Sequence, residues 1–200
     1  MSILESIDWN EARNAYDGRK QIHKDLLNLH SQGKIDRFAE LALGVSDNDG
    51  NYSAAQHGLG PKVLGLNLNA AKRVFALADQ FIPLKDAHQV PKLIKNAGLS
   101  YLSIGVGSEV SCMVNPRKCW VANARTIWTH LVIKHNDSIS KADLELKLYR
   151  DSDATSEMAY EIWSDIHYQL DVALTRTAED GQRLARVASV TPWQHQVSLG

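Results

Sequence analysis

Apolar residues recur at close to helical spacing along most of this chain, and nearly every such run is bounded by a capping residue, a glycine or a proline. A period near 3.6 puts side chains i, i+3, i+4 and i+7 on one face, so a chain written this way buries helical stripes rather than the alternating faces of strands. After Asp8, residues Trp9, Ala12, Tyr16, Ile22, Leu26 and Leu29 hold that spacing, and Gly33 supplies the stop. Residues 35–43 continue as a short second helix ending at Gly44. Asn69 stands where it can cap a helix through residue 81, with Ala70, Val74, Leu77, Ala78 and Phe81 on one face and Pro83 beyond its end. Pro91 suits the first position of a helix that Gly98 closes, and Ser108 can cap a short helix ending before Pro116. Trp120, Ala124, Ile127, Trp128, Leu131 and Val132 stripe residues 119–135; Met158, Ile162, Ile166, Leu170 and Ala173 stripe residues 153–178. The expected fold is mainly α: one globular domain over residues 1–200, with about six to seven helices and at most a small β element around 62–67 and 100–106. An α+β arrangement is the alternative.

Three segments depart from the pattern. Residues 46–62 are dominated by Gly, Asn, Asp and Ser, which predicts a long loop. Asp47, Asp49 and Asn51 have the spacing of a calcium loop, but Tyr52 and Gly58 stand where that template needs glycine and glutamate, so calcium is excluded. Residues 188–200, around Pro192 and Trp193, are expected to form a mobile tail. From Asp143 to Tyr149 polar and apolar residues alternate as in a strand. The same run is rich in the helix formers Glu, Leu and Lys, with Ala142, Leu146 and Tyr149 on one helical face, and helix is the expected state.

At 200 residues, 44% of them hydrophobic, the chain can bury a core without staples. Cys112 and Cys119 have no CxxC spacing and make no disulfide framework, as in a reducing compartment. The N-terminal stretch lacks a basic region followed by an apolar one, and no apolar run approaches the ~20 residues that span a bilayer. A soluble, cytoplasmic protein without a membrane partner is expected.

The net charge of −1 conceals a division. Residues 85–134 carry Lys85, Lys92, Lys95, Arg117, Lys118, Arg125 and Lys134 against Asp86 and Glu109, whereas residues 137–180 carry eleven acids against four bases. Such a division forms either a basic binding face beside an acidic one or two packed faces that neutralise each other.

Ile104-Gly105-Val106-Gly107, between helical patterns on either side, resembles the hairpin of the helix–hairpin–helix family. The resemblance implies backbone amides approaching a phosphate at Gly105 and Gly107 without Cβ interference. With Lys92, Lys95, Arg117, Lys118 and Arg125 it makes a nucleic-acid backbone the first expected partner. In the strand reading, Asp137 followed by Glu145-Leu146-Lys147 resembles the core of the PD-(D/E)xK nucleases, which implies two carboxylates on Mg²⁺ or Mn²⁺ and a lysine near the attacking water. Glu157, Glu161 and Asp165, four apart on the 153–178 pattern, form an acidic face that could serve a metal-dependent phosphohydrolase, or merely face solvent. A third possibility is a non-enzymatic interaction module, with Trp193 anchoring a protein partner or a second copy. No motif decides whether the chain is an enzyme, and none calls for a cofactor outside the metal readings; GxSxG, P-loop and GxGxxG sequences are all missing.

Overall fold

Asp8 opens the first helix by accepting hydrogen bonds from the amides of Asn10 and Glu11 at 2.9 and 3.1 Å, which satisfies donors that the first turn leaves without partners. The computed structural model describes residues 8–149, and α1 (Trp9–Ser31) is the first of nine α-helices among them. It is followed by α2 (Ile35–Ala42), α3 (Tyr52–Gln56), α4 (Leu59–Leu66), α5 (Ala70–Phe81), α6 (Val90–Ala97), α7 (Ile104–Val114), α8 (Ala124–Lys134) and α9 (Ile139–Tyr149). No strand occurs among the described residues, so the fold is mainly α and the small β element expected near 62–67 and 100–106 is replaced by α4 and the start of α7. None of the described helices is long and apolar enough to cross a membrane. The acidic 153–178 pattern and the tail at 188–200 lie outside the described residues.

The long loop expected at 46–62 is a correction. That segment folds into a 3₁₀ turn (Asn48–Gly50), α3 and the first half of α4. Two of its glycines serve close approach: a Cβ on Gly50 would lie 2.0 Å from the Leu41 carbonyl oxygen, and one on Gly60 would lie 2.3 Å from that of Leu43. Small residues therefore let this chain segment press against the end of α2, and the composition that reads as loop is close packing.

The core joins the periodic stripes. Leu26 of α1, Phe38 and Leu43 around α2, Leu77 and Phe81 of α5, Ile94 of α6, and Ile127 and Leu131 of α8 are its largest fully buried side chains. α7 runs through the middle: ten of its eleven residues are buried, and it packs against α1, α3, α5 and α6. Gly107 makes the α6 contact possible, because a Cβ there would sit 2.6 Å from Ile94 Cδ1 and 2.7 Å from Cγ1. α9 packs on α8, where Trp128 Nε1 donates to Asp143 Oδ1 at 2.7 Å and Glu145 accepts from Lys134 Nζ and pairs with His135 Nε2, both at 2.6 Å. These contacts resolve the ambiguous 143–149 run in favour of helix.

A buried polar centre and a candidate nucleic-acid interface

A helix buried on all sides has no room for an unpaired charge, yet α7 carries Glu109 at 2% exposure. Its oxygens are fully employed. Oε1 accepts from Arg19 Nη2 at 2.6 Å and from the Tyr52 amide at 3.1 Å, and Oε2 accepts from the Ser53 amide at 2.9 Å. The carboxylate thus satisfies the first amides of α3 and ties α1, α3 and α7 together. Asn51 continues the centre from below: Nδ2 donates to the carbonyls of Ala42 and Val106 at 3.0 Å each, while Oδ1 caps α3 through the Ala54 amide at 2.9 Å. Ser53 Oγ accepts from Asn123 Nδ2 at 3.1 Å, and Ser108 Oγ accepts from the Ala122 amide at 2.8 Å, which fixes the approach to α8. His23 Nδ1 meets the Met113 carbonyl oxygen at 2.7 Å, a second strut from α1 to α7.

The two thiols border this centre. Desolvation pushes Cys112 up to about 11, with Arg19 opposing and Glu109 adding to the effect. Burial pushes Cys119 up to about 12, opposed by a hydrogen bond from Ser111 and reinforced by Cys112. Both are free thiols held in the protonated, unreactive form at neutral pH.

The residues expected to meet phosphate divide into three sets. Gly105 and Gly107 are a correction: residues 104–107 are the first turn of α7 rather than a hairpin, both glycines are buried, and the Gly107 amide is committed to the Ser103 carbonyl at 2.8 Å. Gly107 serves helix packing against Ile94, and its amide is not open to a ligand. Arg125 forms a second set, exposed at the start of α8 with its guanidinium carbon 5.5 Å from the ring centroid of Tyr52.

Lys92, Arg117 and Lys118 form the third, at the end of the molecule where α5 stops, α6 begins and α7 terminates. Pro116 closes α7, and the amides of Lys118 and Cys119 both turn back to the Asn115 carbonyl, at 3.2 and 2.9 Å. Asn115 then staples that turn to the end of α5: its Nδ2 reaches the carbonyls of Phe81, Ile82 and Leu84 at 3.0, 3.4 and 2.9 Å. The Arg117–Lys118 turn is thereby held beside the segment that leads into Lys85, and Lys92 and Lys95 are exposed on α6 just beyond. Among the described residues none of Lys85, Lys92, Arg117 and Lys118 forms an ion pair. The neighbouring Asp86 is occupied by His88, whose ring and backbone hydrogen bonds hold that carboxyl below its ordinary range.

The acidic sets fare differently. The nuclease resemblance requires residues 143–149 as a strand, but Glu145 and Lys147 stand two apart on helix α9, roughly 200° around its axis, and Glu145 is engaged by Lys134 and His135. Asp137 lies in the exposed α8–α9 turn with φ 65°. These three do not assemble a catalytic strand. No group of three or more His, Cys, Asp or Glu side chains that could hold a metal occurs among the described residues. Glu157, Glu161, Asp165 and Trp193 lie outside them.

Sequence reasoning missed Glu109, Arg19, Asn51 and Asn115. A signal existed for the first: a single carboxylate inside the apolar run 104–114 must find partners if that run is buried. No protein family, curated protein or solved structure matches this chain.

Proposed function

We propose that this helical domain is an intracellular protein that binds nucleic acid through the phosphate backbone, with the basic end formed by Arg117, Lys118, Lys92 and Lys85 as the main contact and Arg125 as a second. The observation that carries this reading is the Asn115 staple, which fixes a turn with exposed Arg117 and half-buried Lys118 against a second cationic segment. Cations that form no ion pair among the described residues, presented by an ordered turn, suit the positioning contacts that phosphates receive in nucleic-acid complexes. Lys95 extends the same face, and the chain's overall near-neutrality matches a localised contact rather than a general polycation.

Fluorescence anisotropy with labelled DNA and RNA at low ionic strength tests the reading. Binding that weakens when Arg117 and Lys118 are both changed to alanine is expected. No detectable binding to any of these probes at low salt overturns it.

A further inference from the structure

We infer that Tyr52 and Tyr101 are base-stacking platforms, so that the nucleic acid this protein takes is single-stranded; the inference rests on the phosphate-binding reading above. Both rings are half exposed, at 50% and 48%. Each has a cation over it: Arg125 Cζ is 5.5 Å from the Tyr52 centroid and Lys62 Nζ is 5.6 Å from the Tyr101 centroid. An aromatic face beside a cation is the pairing that single-strand binders use, with bases stacking on the ring while the charge tracks the backbone. A duplex keeps its bases stacked on one another and has no use for such a face.

What separates these rings from ordinary surface tyrosines is how firmly they are held. The Tyr52 and Ser53 amides are locked onto buried Glu109, and Asn51 caps the same turn, so the Tyr52 backbone is fixed by the core. Tyr101 has φ 67°, a left-handed conformation that a bulky residue adopts only when its surroundings impose it. The constraint is visible: Asn67 and Ser100 exchange two hydrogen bonds, at 2.9 and 3.1 Å, clamping the α4–α5 and α6–α7 connections together. A strained backbone that ends with its ring in solvent gains little from burial, which points to display. Leu66 at the end of α4 and Leu68 on the clamped connection, 65% and 84% exposed, widen the apolar surface there.

The test compares the intact protein's affinity for three probes by anisotropy: a labelled single strand of about 12 nucleotides, within the ~4–16-nucleotide range of such sites, an abasic strand of equal length, and a duplex. The single strand is expected to bind at least about thirtyfold more tightly than the abasic strand, with Tyr52→Ala and Tyr101→Ala each reducing that advantage by about fivefold or more and Tyr→Phe at either site preserving it. Unchanged circular dichroism spectra keep folding out of the comparison. Equal affinity for base-bearing and abasic strands, or alanine variants that leave the preference intact, overturns the stacking role while the phosphate reading stands. Absence of binding to all three probes removes both.

Discussion

Changing Glu109 to glutamine removes one charge and almost no volume from the middle of α7, which makes it the sharpest probe of how this fold is held. The native carboxylate offers two oxygens to three donors, Arg19 Nη2 and the amides of Tyr52 and Ser53. A carboxamide offers one oxygen and turns an NH₂ toward at least one of those donors, so one or two bonds are lost and a buried donor faces another donor. Hydrogen bonds to charged groups contribute about 1.5–3 kcal/mol each, and breaking a buried pair by removing one partner costs about 3–5 kcal/mol. Because Arg19 keeps a third of its side chain in solvent, it recovers part of its loss through water, and the expected cost is about 3 kcal/mol. For a chain of this length that lowers Tm by about 6–12 °C. Urea unfolding at pH 7 should show the midpoint falling with little change in slope, and a cycle with Arg19→Met should show the two substitutions to be strongly sub-additive. A loss below about 0.5 kcal/mol, the range of ordinary surface changes, would refute the assignment of Glu109 as the organising charge.

Gly107→Ala should destabilise by about 1–2 kcal/mol despite alanine's better helix propensity, because the new methyl overlaps Ile94; in thermal melts, pairing it with Ile94→Val should recover part of the loss, and a neutral or stabilising Gly107→Ala would contradict the close α6–α7 packing. Asn115→Ala should lower stability by about 1–3 kcal/mol, since it strips the carbonyls at the end of α5 of their donor; a wild-type denaturation midpoint would count against the staple. The thiols give a pH dependence of stated sign. Their folded-state values of about 11 and 12 lie above the ordinary 9.0, so their contribution is fully present below about pH 9 and is lost as pH rises toward 11–12, at up to about 1.4 kcal/mol per pH unit per thiol. Cys119→Ala should flatten that alkaline slope in urea titrations, and an unchanged slope would rule the thiol out as its source.

The helices that were legible in the sequence are those whose stripe and stops agree. Residues 70–81 form α5 as expected, although Asn69 adopts a left-handed conformation and makes no side-chain cap. Pro91 and Gly98 bound α6 within a residue. Misreading began where glycine carried two meanings. Gly50 and Gly60 sit in a composition typical of loops, but their service is to let backbone touch backbone, a requirement set by residues far along the chain. Gly105 and Gly107 suggested a turn because glycine weakens helices locally, and at Gly107 the fit of Ile94 against α7 overrides that preference. The basic residues were visible as a list but not as a surface. Only the contact of Asn115 with the end of α5, more than 30 positions away in sequence, separates Arg117 and Lys118 from Arg125. The buried centre was the least legible part, since Glu109 and Arg19 are 90 residues apart and nothing local pairs them.

The salt dependence of nucleic-acid binding tests the proposed basic face most directly. With wild-type protein, log K should fall linearly with log salt, and changing Arg117 and Lys118 together to alanine should reduce the magnitude of the slope by about two, one for each phosphate contact released. The same double substitution made at the exposed cations Lys20 and Lys24 of α1 should leave the slope unchanged. Equal slopes for wild type and the Arg117/Lys118 variant would place the phosphates elsewhere and contradict the assignment of this end of the molecule.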